Sequence, residues 1–125
     1  MQKKSNKADK LVLAQRHLKR VEASWDDPVD WDDLSLYGFY CLEAAVEAAA
    51  LHFKIKTNTV HAQKVEVAEK LHRDKGLPDV SELLVDLNGS RKAAAYGDVD
   101  ALELDPEEVK LEIEAYVEAV KKLLA

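Results

Sequence analysis

Apolar residues recur every three or four positions along most of the chain, which is the spacing of a helix with one buried face. The Asn-Gly-Ser run at 88–90 interrupts the fourth such pattern and predicts a kink or break there. We therefore expect an all-α protein, an up-and-down antiparallel four-helix bundle with one additional shorter helix. The five predicted helices cover residues 7–23, 34–54, 60–75, 77–96 and 106 onwards.

Two helix ends carry specific local signals. The last helix is predicted to begin with Asp105 as its N-cap, Pro106 at its first position and Glu108 at its third, which together form a capping box. Gly76 follows the third helix and is predicted to end it in the left-handed conformation.

The second predicted helix is apolar around almost its whole circumference. Only Glu43, Glu47 and Lys54 mark a narrow polar stripe on it. A helix of this kind must be buried on more than one side. It is therefore either the central helix of the bundle or a helix that also packs against another subunit, and the second alternative predicts a homodimer.

Length and composition limit the class of protein. With 125 residues, 47% of them hydrophobic, the chain is expected to form one domain over residues 1–125. The single cysteine, Cys41, excludes an intrachain disulfide and a cysteine-based zinc site. No apolar run reaches the roughly 20 residues of a bilayer span. The polar, lysine-rich start lacks the core of a secretory signal, so we expect a cytoplasmic protein without a membrane segment.

The formal net charge of −6 disfavours non-specific nucleic-acid binding by the surface as a whole. The charge is unevenly distributed. Bases outnumber acids in residues 1–20 and in residues 54–92, and acids outnumber bases in residues 98–125. Such runs usually form solvated faces or pair across helices, and a basic arm for RNA is the alternative. The distribution permits an anion-binding groove despite the overall charge.

The histidines and aspartates do not predict a metal site. The 4 histidines do not pair at the spacing that a helix-borne metal site needs. The acidic stretch Asp26–Asp33 lacks the glycine and the final glutamate of a calcium loop, so capping and solubility explain it better. Trp25 and Trp31 flank it and either hold it against the bundle or stack on bases. We expect neither a metal nor a cofactor.

Arg91 is the most informative single residue. On an ideal helix it falls on the same side as Leu84 and Leu87, within an apolar stripe. A charge in such a stripe requires a partner. Arg91 is therefore either a structural ion pair with an acid such as Asp98, or an arginine that binds phosphate in a groove between helices or subunits.

Two segments resemble the HEPN domains, a superfamily of helical proteins. Residues 37–48, aromatic and then rich in alanine, resemble the second HEPN helix, and residues 83–98 resemble the signature helix. The resemblance extends from about Leu11 to Val120. It implies a dimeric helical bundle, often encoded beside a minimal nucleotidyltransferase. In active members, an arginine and a histidine with four to six residues between them meet their counterparts at the dimer interface and cut RNA without a metal.

The resemblance assigns the motif arginine to Arg91 but leaves the motif histidine without a match. Its positions are taken by Tyr96, Gly97 and Asp98, none of which transfers a proton at neutral pH as imidazole does. Lys92 stands where the family often has a different polar residue. The sequence therefore favours a non-catalytic or degenerate HEPN member over an enzyme.

The leading hypothesis is a HEPN-like dimer that binds a partner protein, such as a nucleotidyltransferase, or an anionic ligand, RNA or a nucleotide. Arg91 would hold phosphate, Lys92 would add a second positive charge, and Tyr96 would stack on a base or form a hydrogen bond. The resemblance also offers Tyr96 as an acceptor of a nucleotidyl group from the partner. One alternative is a toxin-like, metal-independent ribonuclease with Arg91, Tyr96 and Asp98 as catalytic residues. Another is a purely structural or assembly module in which Arg91 forms an interface ion pair.

Overall fold

The computed structural model describes residues 6–23, 31–56, 61–96 and 105–125, with the backbone alone at positions 31, 61, 62 and 90–96. No strand occurs in these ranges, so the predicted all-α class is confirmed for the described residues. The helices are α1 (Lys7–Ala23), α2 (Trp31–His52), α3 (His61–Lys75), α4 (Ser81–Tyr96) and α5 (Pro106–Leu124).

The helix bounds agree with the apolar pattern except at two places. α2 begins at Trp31, before its predicted start at residue 34, and α4 begins only at Ser81. Of the predicted kink or break at 88–90, the break is wrong, because α4 runs without interruption to Tyr96. Leu84 and Leu87 are buried immediately before that run, and their packing outweighs the weak helix propensity of asparagine, glycine and serine.

α2 is the central helix of the described bundle. It contacts each of the other four helices, so its apolar circumference is buried within one chain. This confirms the first of the two interpretations of its composition. The homodimer stays a prediction. The composition of α2 no longer supports it, because helices of the same chain bury the apolar faces of α2. The buried apolar residues of α2 are Leu34, Phe39, Cys41, Leu42, Ala44, Ala45, Val46, Ala48, Ala49 and Ala50.

The same helix meets the length and composition criteria of a membrane span. The stretch Asp32–His52 is long and apolar enough to cross a bilayer, contrary to our expectation from the sequence. Within the bundle, 72% of its apolar window is buried. A core helix that packs against four neighbours meets the same two criteria for a different reason, since its apolar side chains contact protein.

The predicted helix caps at Asp105 and Gly76 are confirmed. The Asp105 carboxylate accepts a hydrogen bond from the N–H of Glu107 at 3.0 Å, and proline occupies the first turn of α5. Gly76 has φ 74°, and its N–H donates to the carbonyl of His72 at 3.3 Å, which closes α3. Both ends are thus determined by local sequence.

The end of α2 uses a lysine where glycine is usual. Lys54 has φ 59°, in the left-handed region. The N–H of Ile55 donates to the carbonyl of Ala50 at 2.8 Å, and that of Lys54 donates to the carbonyl of Leu51 at 3.2 Å. This pair of bonds is the Schellman motif, which satisfies the last carbonyls of the helix.

Candidate functional site

The predicted site on α4 is placed by its backbone. Arg91, Lys92 and Tyr96 belong to the second half of α4, downstream of the buried Leu84 and Leu87, and the positions of their side chains lie outside the described part of the structure. Leu84 and Leu87 of the predicted apolar stripe are buried, and the placement of Arg91 within that stripe stays a prediction.

Asp98 and most of the acidic stretch lie outside the described residues. The same is true of Gly97, Trp25 and the residues 26–30. Of the remaining aspartates, Asp32 and Asp33 lie in the first turn of α2. Negative charge there complements the positive end of the helix dipole, but both residues lie inside α2, so neither is the N-cap that the sequence predicted.

The described structure contains a polar cluster that the sequence analysis missed. Lys64 of α3 is paired with two glutamates of α2, with its Nζ 2.6 Å from Glu47 Oε1 and 3.5 Å from Glu43 Oε2. Lys10 of α1 reaches the other oxygen of Glu47 at 2.7 Å. Glu43 and Lys64 are buried, at 6% and 7% exposure. One carboxylate of the central helix therefore joins α1 and α3.

The electrostatics of Glu47 follow from this geometry. Burial alone would raise the pKa of its carboxyl, but the hydrogen bonds and charges of Lys10 and Lys64 outweigh burial and lower the pKa below its usual value. Glu47 is therefore ionised at neutral pH. The sequence signal for this cluster was a pair of glutamates four residues apart in an otherwise apolar helix, noted above only as part of a narrow polar stripe.

His17 lies at the edge of the same cluster. The centre of its ring lies 6.2 Å from that of Tyr37, in a stacked arrangement, and 5.7 Å from that of Tyr40, with the two rings tilted. Its buried Nδ1 has no hydrogen-bond partner. Burial, followed by the charges of Arg20 and Arg16, lowers the pKa of His17 below its usual value. The imidazole is consequently neutral at pH 7, with one ring nitrogen unsatisfied.

A cavity of about 140 Å³ opens between His17, Tyr40 and the ion-pair cluster. It offers a neutral imidazole, a phenol and the edges of two paired carboxylates to a small polar molecule. No group of three or more histidine, cysteine, aspartate or glutamate side chains in the described ranges is arranged to hold a metal ion. The arrangement suits hydrogen bonding, since its charges are already paired.

Two further side chains of nucleophilic type, Cys41 and Tyr116, are buried in the core. The Cys41 thiol donates to the carbonyl of Ala14 at 3.2 Å, and burial, with the charge of Glu22, raises its pKa to about 12. Tyr116 is fully buried, its hydroxyl has no hydrogen-bond partner, and burial raises its pKa well above the usual range. Neither group is an activated nucleophile at neutral pH.

An acidic groove of about 240 Å³ lies between the amino-terminal halves of α4 and α5. The predicted up-and-down antiparallel order would place the start of α5 beside the end of α4. In this groove the start of α5 lies beside the start of α4. Burial raises the pKa of Glu112 in this groove, and the charges of Glu108 and Glu82 raise it further. The carboxylates that line the groove are Asp79, Glu82, Asp86, Asp105, Glu108 and Glu112.

Comparison of the chain with protein-family models, with curated proteins and with solved structures gives no significant match.

Proposed function

We propose that the chain is a non-catalytic, HEPN-like helical module, a four-helix bundle with one additional helix, that forms a homodimer. In this proposal it binds a partner protein or an anionic ligand, RNA or a nucleotide, next to Arg91. The observation that supports the binding site is the continuity of α4 from Ser81 to Tyr96. Because no break separates Arg91 from the buried Leu84 and Leu87, its backbone continues the helix that these two leucines pack into the core.

The roles of the neighbouring residues follow from their chemistry. An arginine presents a planar fork of donors that matches phosphate, and Lys92 adds a compact positive charge. Tyr96 supplies an aromatic ring for stacking on a base. The absence of a histidine near Arg91 leaves the site without a general base for neutral pH, so binding without cleavage is the function proposed.

A binding measurement with a matched control tests this site. Fluorescence anisotropy of a labelled single-stranded RNA of about 20 nucleotides, and titration with a nucleotide, should show binding by the wild-type chain. Arg91→Ala should weaken binding roughly tenfold, the value of one charge-assisted hydrogen bond. Lys70→Ala removes an exposed lysine of α3 and should leave the affinity within about twofold. Unchanged affinity in Arg91→Ala would contradict the proposal.

The same variants separate the alternatives. A metal-independent ribonuclease would cleave RNA in the presence of EDTA, and Arg91→Ala would abolish that cleavage. A structural module would show a lower melting temperature or a weaker dimer in Arg91→Ala, with no ligand binding to lose. Binding without cleavage, lost in a variant of unchanged melting temperature, agrees only with the proposed function.

The dimer and the partner are tested separately. Analytical ultracentrifugation at micromolar concentration should give twice the 14.0 kDa mass of the chain. A monomeric mass would refute the dimer. Co-purification with a nucleotidyltransferase from the source cell would support the partner, and the wild-type chain and Arg91→Ala should then differ in the amount recovered.

A further inference from the structure

Four lysines surround the end of α2, and we call them the lysine corner: Lys7, Lys54, Lys56 and Lys75. Lys7, at the start of α1, donates to Nδ1 of His52 at 3.0 Å. Lys75, at the end of α3, lies with its Nζ 4.8 Å from the centre of the Phe53 ring. Lys54 and Lys56 belong to the turn that follows α2. The corner is thus assembled from three separate parts of the chain.

The lysine corner has no carboxylate partner within the described part of the chain. By contrast, Lys10, Lys64 and Arg73 each form a salt bridge with a described carboxylate. All four lysines of the corner are exposed. The end of a helix attracts positive charge, which partly explains Lys54, Lys56 and Lys75. That effect does not explain Lys7, which lies at the start of α1, where the helix dipole repels a cation.

An apolar groove lies inside this basic rim. A depression of about 430 Å³ is lined by Leu51, Ile55 and the stems of Lys54 and Lys56. The Leu51 side chain is 38% exposed although it belongs to an otherwise buried helix. The surface is therefore concave and apolar at its floor and positively charged at its edge, a combination common to sites that bind a small apolar group carrying an anion.

We propose that the lysine corner binds single-stranded nucleic acid, with the ammonium groups on successive phosphates and one base on Leu51 and Ile55. Lysine binds phosphate as a compact point charge, and four exposed ammonium groups around one depression complement the repeating negative charge of a phosphate backbone.

This surface is separate from the one proposed at Arg91. Leu87, one helical turn before Arg91, lies beside Gly38 in the first half of α2. From Gly38 to His52 the helix rises by about 21 Å. The two proposals can therefore fail independently of each other.

The test measures the salt dependence of binding to a labelled 15-nucleotide oligo(U). Four neutralised phosphates predict a slope of about −3 in a plot of log affinity against log salt concentration. The double variant Lys54→Gln/Lys56→Gln should reduce the magnitude of that slope by about 1.4 and weaken binding at 50 mM salt by roughly tenfold or more.

The matched control is Lys121→Gln/Lys122→Gln, which removes two exposed lysines of α5 that do not line this groove. It should keep the wild-type slope. Because the site proposed near Arg91 would bind RNA as well, both double variants are compared in an Arg91→Ala background, in which only the lysine corner is left to bind oligo(U). An unchanged slope in Lys54→Gln/Lys56→Gln overturns the proposal, because all these positions are exposed and the fold is retained. Poly-glutamate or phosphatidylserine vesicles, bound more tightly than oligo(U) through the same lysines, would overturn the assignment to nucleic acid.

Discussion

Lys64 Nζ lies 2.6 Å from Glu47 Oε1, and this contact attaches the peripheral helix α3 to the central helix α2. The Lys64 side chain is only 9% exposed and that of Glu47 16%. A charge at this depth requires its partner, because the cost of removing it from water is otherwise uncompensated. The contact also determines how the described bundle responds to mutation and to acid.

Removing the charge of Glu47 should destabilise the protein strongly. Glu47→Gln keeps the shape of the side chain but leaves Lys64 with Glu43 alone, so we expect a loss of about 2–4 kcal/mol in the free energy of unfolding, measured with urea. Asp74→Asn is the control, since it removes the exposed pair with Arg73, whose atoms are 3.9 Å apart and whose loss should cost less than about 0.5 kcal/mol. Equal effects of the two substitutions would contradict a buried network.

The same contact predicts a pH dependence. Because the folded-state pKa of Glu47 is lowered below its ordinary 4.5, its contribution to stability is present above that pH and lost as the pH falls through the folded value. The stability difference between wild type and Glu47→Gln should therefore be constant near pH 7 and shrink below about pH 4.5. A difference that grows on acidification would show that the sign of the pKa shift is wrong.

Gly38 and Gly89 should respond to alanine in opposite directions. A Cβ on Gly38 would lie 2.9 Å from Cδ1 of the buried Ile113, so Gly38→Ala should overpack the core and cost about 1–3 kcal/mol, offset by up to about 1 kcal/mol of helix propensity. Gly89 is exposed in α4, where alanine should raise stability by as much as about 1 kcal/mol. Thermal unfolding of both variants checks the pair, and a stabilised Gly38→Ala would refute the close approach.

Lys54→Gly should stabilise the end of α2. Lys54 lies in the left-handed region, where a side chain costs about 1–2 kcal/mol. Glycine removes this cost, but the extra entropy of its unfolded chain lowers stability by about 0.5–1 kcal/mol. We therefore expect a net gain of about 0.5–1 kcal/mol in unfolding free energy. Lys54→Ala removes the same charge but keeps the Cβ, so it should show no such gain, and equal stability of the two variants would contradict the strained φ.

Tyr116→Phe should leave stability unchanged or raise it by about 1 kcal/mol, because the buried hydroxyl has no hydrogen-bond partner to lose. Tyr116→Ala serves as the packing control and should cost about 3–5 kcal/mol through the cavity that it leaves. Both values come from urea unfolding. A loss of more than about 1 kcal/mol in Tyr116→Phe would reveal a bond to the hydroxyl.

Local sequence was enough to predict most helix bounds, because they depend on interactions within a few residues. The start of α5 at Asp105 and the end of α3 at Gly76 were predicted from a side-chain acceptor and from a residue without a Cβ. Propensity misled at Asn88 and Gly89, where buried neighbours keep α4 helical. The burial of α2 was predicted from its composition, since nearly all its faces are apolar, and it is confirmed.

The candidate site residues Arg91, Lys92 and Tyr96 were selected from the sequence, and the structure describes their backbone in α4. Their functional role belongs to the proposal above. The polar cluster was not predicted, because Lys10 and Lys64 lie far from Glu47 in sequence and only packing joins them. The lysine corner escaped notice for the same reason, since its members come from α1, from α3 and from the turn after α2.

The sequence by itself determined that the chain is helical, where most helices end, and that α2 is buried, because periodicity and caps act over one or two turns. Only the tertiary structure decided what buries α2, namely four helices of its own chain. It also decided that Glu47 is a shared partner of two lysines and not a solvated residue. The identity of a side chain limits its chemistry, but its partners depend on contacts between residues distant in sequence.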